Sequence, residues 1–327
     1  MIPGWRVEEH PRGSRAEWMH RRQRVLCASE AGALFGRHKY TTARRLFTAK
    51  AYGEPEEESA VMRRGKIMEP AVAEAVLVDC GWEPERCSTF LQAFADDPHV
   101  RLGASRDYVL RVDAGELLAH PKTQATALAA GWGSGPMRLT LECKSLDPSI
   151  WASEWKDGPP AYTVVQAAQQ ALLDGSDGAL VACLLEDRQK SLYLYAVPRH
   201  EDFEQALVGK VAGFWRAFDA GEEPPVVALD NEFMTEYFPT SDEGEVCNLT
   251  DEAAVWTALA AERERLKLHA KETDAEIDSI EARIKDRMRS AARAILPGWS
   301  ITWKTDKRGT RTFKVERRAE TPKKRTR

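Results

Sequence analysis

The sequence predicts an α/β fold: a mixed central sheet flanked by helices, followed by a long helix and a β-hairpin. Three observations predict it. Helical and strand-like patterns succeed one another in the order α-β-β-β-α-β-β-α across residues 15–220. In "MRLTLECKSLD" (137–147), Leu139 and Leu141 alternate with Thr140 and Glu142, the period-2 signature of a half-buried strand. From Trp256 a 3-4 apolar spacing runs through Leu259, Leu266, Ala270, Thr273, Ile277, Ile280 and Ile284, interrupted by Arg263. That spacing supports one long helix paired with another helix.

The elements follow in order. "EWMHRRQRVLCASEAGALFG" (17–36) reads as a helix, a break and a second helix, with Ser29 placed to cap the second. "VMRRGKIMEPAVAEAVLVDCG" (61–81) reads as a helix that ends at Gly81 and carries Glu69 in its middle. Strand-like runs follow at "STFLQAFA" and "VRLGASRDYVLRV". Residues 114–136, rich in Ala, Gly, Thr and Pro without a clear period, read as a long loop or irregular hairpin between strands. After "MRLTLECK" comes a loop with Trp and Pro, then a helix over "AYTVVQAAQQALLDG" closed by Gly175. "ALVACLLE" and "KSLYLYAV" are strands on either side of the turn "DRQ". "HEDFEQALVGKVAGFWRAFDAG" is an amphipathic helix with Phe203, Leu207, Val211, Phe214 and Phe218 on one stripe, stopped by "GEEPP". "WSITWK" and "RTFKVE" pair around "TDKRGT", where Gly309 supplies the turn.

Composition narrows the function classes. Of 327 residues, 43% are apolar and 30% charged, which describes a globular protein large enough for one core plus an appendage. No apolar run of membrane length occurs, and "MIPGWRVEEHPRGSR" lacks the apolar segment of a signal peptide, so a cytoplasmic protein without a membrane partner is expected. The six cysteines are scattered without a CxxC pair or histidines at zinc spacing. They read as reduced core residues and argue against a zinc or iron–sulfur site. A net charge of −4 does not advertise a nucleic-acid binder, but the charge is uneven. "HRRQR" (20–24), "MRRGK" (62–66) and the chain from Lys304 onward are basic, whereas "EPEEE" (54–58) and 241–252 are acidic, so local patches could bind a polyanion.

The chemistry concentrates around "ECK". Glu142 and Lys144 share the strand face opposite the leucines. A Glu-x-Lys alone has almost no specificity and reads first as an ion pair on a solvated face. An upstream Asp adds little by itself, but Asp107 follows "GAS" inside one strand while Glu142 and Lys144 end the next, a context that Asp113 lacks. An Asp and a Glu on neighbouring strands can hold Mg²⁺, a hard cation that prefers oxygen ligands, with the Cys143 carbonyl as a third oxygen. Such a metal polarises a phosphate and acidifies a water, and a lysine beside it orients that water. The set suits phosphodiester hydrolysis and not carbonyl chemistry.

With these residues in place the chain resembles the PD-(D/E)XK nuclease superfamily, and within it the lambda-exonuclease/YqaJ-type phage recombination nucleases. Four segments correspond in order: the Trp, Arg and Ser of "EWMHRRQRVLCASEAGALFG", the "RGK…E…A" helix of "MRRGKIMEPAVAEA", "GASRDY…LECK", and the Gln-rich helix "YTVVQAAQQALLDG". "FWRAFDAGEEPP" resembles the usual closing helix, so the resemblance covers residues 15–225. It implies a restriction-endonuclease-like core. Asp107 and Glu142 would be metal ligands with Cys143, Lys144 the water-orienting lysine, and Glu69 the completion of the acidic cluster. Gln166, with Gln169 or Gln170, would line the site, and Arg22 and Ser29 would bind the DNA 5′-phosphate. The implied activity is Mg²⁺-dependent 5′→3′ exonuclease action on double-stranded DNA in phage-type homologous recombination, with Mn²⁺ as a substitute. A ring-like homo-oligomer and a single-strand annealing protein as partner, in a bacterial host cell, follow from the same resemblance. An endonuclease or repair nuclease of the superfamily, and a non-catalytic DNA-binding scaffold, are the rival readings. The chain departs from the family's pattern in having Arg106 and Tyr108 on either side of the Asp, where Pro and Gly are usual, and in the long gap from Asp107 to Glu142.

The implied organisation is a nuclease domain over 1–225, a linker over 226–250, a helical arm and hairpin over 251–316, and a disordered basic tail over 317–327.

Overall fold

The structure, a computed structural model, describes residues 2–53 and 60–317. The acidic run at 54–58 and the tail beyond residue 317 lie outside the described residues. The chain forms two compact units, Met1–Pro239 and Thr240–Arg327.

The first unit opens with β1 (Arg6–Pro11), α1 (Arg15–Gln23), the short β2 (Leu26–Cys27) and α2 (Ala28–Ala31), then α3 (Ala43–Tyr52) and α4 (Ala60–Cys80). Strands β3 (Glu85–Arg86), β4 (Thr89–Phe94), β5 (Leu102–Ser105) and β6 (Tyr108–Asp113) follow. Between β6 and β7 (Pro136–Leu146) lie two short helices, α5 (Ala114–Ala119) and α6 (Gln124–Ala129). The single turn α7 (Pro148–Ile150) leads to α8 (Ala161–Asp174), β8 (Gly178–Leu185), β9 (Leu192–Pro198), α9 (Glu201–Asp219) and α10 (Asp230–Tyr237).

Two sheets result. A four-stranded sheet has the order β1-β4-β5-β2, and a five-stranded mixed sheet the order β3-β6-β7-β8-β9. In the larger sheet β7 and β8 are parallel and the other pairs antiparallel. A parallel pair needs a long crossover, and α8 supplies it. Strand β8 is buried along its whole length because both faces are covered. Leu180, Ala182 and Leu184 pack towards α4, while Ala179, Val181 and Cys183 meet the alanine face of α8, Ala167, Ala168 and Ala171. A third cluster joins the smaller sheet to α3 and to α9 through Leu207, Val211, Phe214 and Trp215, each worth roughly 1.5–3 kcal/mol of burial.

Several expectations from sequence are met in kind, and some require correction. Residues 114–136 are not an irregular loop: Asp113 caps α5 through the Gly115 N–H, and Leu117 and Ala127 are buried in the core. The short helices lack a visible period because six residues span fewer than two turns. Ser29 does not cap the second helix. Cys27 occupies the N-cap position, and Glu30 reaches back to accept from the Cys27 N–H. The stretch 226–250 contains α10, whose Asp230 and Phe233 are buried against the first unit, so the boundary falls after Pro239. Of the cysteines, all free, Cys27 and Cys183 are buried, but Cys247 is exposed.

The second unit contains α11 (Ala253–Met288) and a three-stranded antiparallel sheet of β10 (Arg293–Leu296), β11 (Trp299–Thr305) and β12 (Arg311–Arg317). The hairpin turns at Gly309, whose φ of +84° a side chain would resist. Among the described residues of this unit no second long helix lies beside α11, and Trp256, Leu259, Leu266, Ile277 and Ile280 are exposed. Among the described residues no helix is long and apolar enough to cross a membrane.

Candidate active site

The site lies where the two sheets of the first unit diverge. The run "GASRDYV" reads as one strand but is two. Strand β5 belongs to the smaller sheet and β6 to the larger, and Asp107 occupies the break between them. Arg106 holds that break. Its buried guanidinium pairs with Asp174 and with Glu9, donates to Thr89 Oγ1 at 2.7 Å, and its carbonyl accepts from Arg12 at 2.7 Å. An ion-pair anchor therefore stands where the resemblance would place a proline.

Strand β6 pairs with β7 from Asp113↔Pro136 to Tyr108↔Leu141. One step beyond the last pair, Asp107 Oδ2 accepts from the Cys143 N–H at 2.9 Å. In an extended strand a residue's N–H and C=O point to the same edge, so the Cys143 carbonyl shares the Asp107 side. Glu142, only 2% exposed, projects towards α8. Its Oε1 accepts from Lys144 Nζ and from Gln166 Nε2 at 2.7 Å, and its Oε2 accepts from Gln170 Nε2 at 2.6 Å. Lys144 Nζ also reaches Gln166 Oε1 at 3.4 Å.

Charge is concentrated here. Burial, then the carboxylates of Glu142 and Glu69, push Asp107 well above the usual carboxylate range. Burial would lower Lys144, but the neighbouring Glu142 and Asp107 outweigh it and hold the ammonium above its ordinary value. The Cys143 thiol is pushed up by burial and by the same acids. Glu69, on α4, is half-buried and near enough for its charge to raise Asp107 and Tyr108. Among the described residues no three His, Cys, Asp or Glu side chains form a metal cage by themselves. The donors at hand are the carboxylates of Asp107 and Glu142 and the Cys143 carbonyl. This is an all-oxygen set with two negative charges, which fits a Mg²⁺ ion that keeps several waters.

The glutamines divide. Gln170 is in the site, bridging Glu142 and the Ser105 carbonyl, which accepts at 2.8 Å. Gln169, fully buried, does not line it. Its amide donates to the carbonyls of Leu26 and Gly103, both at 2.9 Å, and ties α8 to β2 and β5. Arg22 stacks on Trp18 with 4.6 Å to the ring centroid and pairs with Glu30 at 3.1 Å. Trp18 donates to Ser105 Oγ at 3.3 Å, which connects this corner to the strand leading to Asp107. Ser29 is exposed, and its carbonyl faces His38 Nε2 at 3.1 Å. The sequence reading overlooked Glu30. It accepts from Lys50 at 2.8 Å as well as from Arg22, and its place three residues after the cap position was the available signal.

An Asp at the start of one strand, Glu-x-Lys at the end of its neighbour and a glutamine-bearing crossover helix define a restriction-endonuclease-like nuclease core of the PD-(D/E)XK class. Within that class, residues 17–176 match the YqaJ-like viral recombinase domain. No curated protein sequence matches the chain. Among solved structures it is similar to an alkaline exonuclease, LHK-Exo, from Laribacter hongkongensis, with 15% identity, 69% of this chain and 100% of that one covered, and a TM-score of 0.45. The same enzyme in complex with dAMP matches at 16% identity, 68% and 98% coverage and a TM-score of 0.45. A structure titled SSO0001 matches at 9% identity, 71% and 97% coverage and a TM-score of 0.34. The family match supports a nuclease that acts in recombination.

Proposed function

We propose that the protein is a Mg²⁺-dependent 5′→3′ exonuclease that degrades one strand of double-stranded DNA for phage-type homologous recombination, with Mn²⁺ able to substitute. The reading rests on Asp107, Glu142 and Lys144 meeting in one site within a YqaJ-like domain. Asp107, Glu142 and the Cys143 carbonyl would hold the metal. The chemistry a bound Mg²⁺ supplies is polarisation of the scissile phosphate and acidification of a water. Lys144 orients the attacking water and stabilises the charge that develops on the phosphate oxygens. Glu142 holds the ammonium in place, and Gln166 and Gln170 fix the carboxylate in turn, so neither group has to reorganise during reaction. Arg22 and Ser29 would receive the 5′-phosphate, a ring-like homo-oligomer would enclose the duplex, and a single-strand annealing protein would take the product strand.

The test is release of nucleotides from linear duplex DNA with Mg²⁺, wild type against Lys144→Ala. Wild type should release nucleotides, and Lys144→Ala should be slower by about 10²-fold or more. A wild type that releases none rejects the enzyme, and cutting of a covalently closed circle rejects the exonuclease. DNA labelled at either the 5′ or the 3′ end reads the polarity.

A further inference from the structure

An aromatic cluster beside the site is absorbed neither by the core nor by the proposed chemistry. His38, Tyr40 and Tyr162 form a triangle, with ring centroids 5.1 Å apart for His38–Tyr162 and 6.2 Å for each of the other pairs. Tyr40 is 59% exposed, unusual for a large ring already packed against two others. His38 is held in one orientation: its Nδ1 accepts from the Tyr40 N–H at 3.1 Å, which leaves the proton on Nε2, directed at the Ser29 carbonyl at 3.1 Å. Burial holds its pKa below the usual histidine value, in keeping with a neutral ring. Gly32 lets α2 meet the start of α8, because a Cβ there would lie 2.8 Å from Tyr162 Cβ. A shallow open cleft adjoins the cluster, lined among others by Arg37, His38, Lys39, Glu154, Pro160 and Tyr162.

The position of the cluster gives it meaning. Tyr162 and Gln166 stand one turn apart on the same face of α8, roughly 5–6 Å between Cβ atoms. Gln166 touches both Glu142 and Lys144. Stacked nucleotides advance about 3.4 Å each, so the rings lie within reach of a base one or two nucleotides from a phosphate held at Lys144. Two cations flank the cluster: Lys39, ion-paired with Glu154, has its Nζ 5.2 Å from the Tyr40 ring centre, and Arg37 lines the adjoining cleft. An exposed ring backed by two others, with a cation beside it, is the combination that binds unpaired nucleic acid, and it discriminates little among bases because every base has a stackable face. A Watson–Crick pair inside a duplex has its faces covered, so the occupant is an unpaired base.

We propose that His38, Tyr40 and Tyr162 form a stacking platform for an unpaired base at the end of the DNA strand, one or two nucleotides from the phosphate at Lys144. The inference rests on the nuclease reading for its ligand, but it is tested without catalysis. Full-length protein in EDTA is titrated against a duplex with a short single-stranded tail and against a blunt duplex. 2-Aminopurine is placed at each of the terminal positions in turn. Wild type should change the fluorescence at one position of the tail. Tyr40→Ala should abolish that signal and weaken tailed-duplex binding about ten-fold, from the 1–3 kcal/mol of one base–aromatic stack. Blunt-duplex affinity and the salt dependence of binding should stay unchanged, because no phosphate contact is removed, and Tyr40→Trp should restore the signal. An unaltered signal in Tyr40→Ala, or an equal loss of affinity for both duplexes, overturns the platform. Nucleotide release with Mg²⁺, assayed separately, reports on the nuclease reading alone, so failure of one is not failure of the other.

Discussion

At the scale of single residues, side chains of the same type have been given different work. Gln169 and Gln170 are adjacent on α8, yet one ties together carbonyls of two strands and the other holds Glu142. Gln169→Leu should lower stability by about 1–3 kcal/mol by leaving two buried carbonyls without a donor. Its turnover per folded molecule should be retained. Gln170→Leu should slow nucleotide release and raise the Mg²⁺ concentration it requires, because the carboxylate loses a fixed partner. Urea unfolding beside initial rates separates the two. Glu30 offers a pH test. Burial opposes its ionisation, but the Lys50 and Arg22 charges outweigh burial and hold its carboxyl below the usual value of 4.5. A depressed carboxylate contributes stability that is present above the unfolded pKa and lost as pH falls through the folded one. Glu30→Gln, which removes the carboxylate shared by two cations, should cost about 3 kcal/mol near neutral pH. The gap to wild type should close as the solution is acidified below about pH 4.5.

At the scale of elements, the sequence made the helices and strands of the core legible wherever they are long. The all-apolar β8, the striped α9 and the Gln-rich α8 announce themselves by period and composition. Glu142 and Lys144 could be proposed from the strand that carries them and Asp107 from its place after "GAS", whereas Glu69 and Gln166 were reached only through the family resemblance. What was illegible depends on partners distant in the chain. The break at Asp107 is invisible locally because β5 and β6 are both apolar, and only pairing assigns them to different sheets. The Gln169/Gln170 register depends on where α8 meets β2 and β5. The platform combines residues over 120 positions apart. Strand β5 also gives a test. A Cβ on Gly103 would lie 2.4 Å from Val25 Cγ2 and 2.7 Å from Phe90 Cζ, so the strand passes there only without a side chain. Gly103→Ala should destabilise the protein by about 1–3 kcal/mol. Because β5 leads directly to Asp107, activity should fall further than the loss of folded molecules explains. Chemical denaturation and active-site titration together measure both.

At the scale of the whole molecule, burial is distributed unequally. The first unit has several apolar clusters, whereas among the described residues from 240 onward Met288 and Ile301 are the buried apolar side chains. Two units with such different cores should unfold separately. Calorimetry should show two transitions, the lower one belonging to the second unit. Ile301→Ala should move the lower transition by several degrees and leave the upper in place, and a single cooperative transition would contradict this division.

The hydrogen bond from the Cys143 N–H to Asp107 Oδ2 has a consequence for how the chain can be cut and extended. It continues the ladder between β6 and β7 by one rung, with a side chain acting as the missing strand. The spacing of Asp107 and Glu142 is thus set by six paired positions and that rung, and not by the number of residues in the connection. The exposed Gly133–Ser134 site, outside the core contributions of Leu117 and Ala127, is therefore the place to open a circular permutant or to seat a guest domain. The two carboxylates would keep their separation however long the connection became.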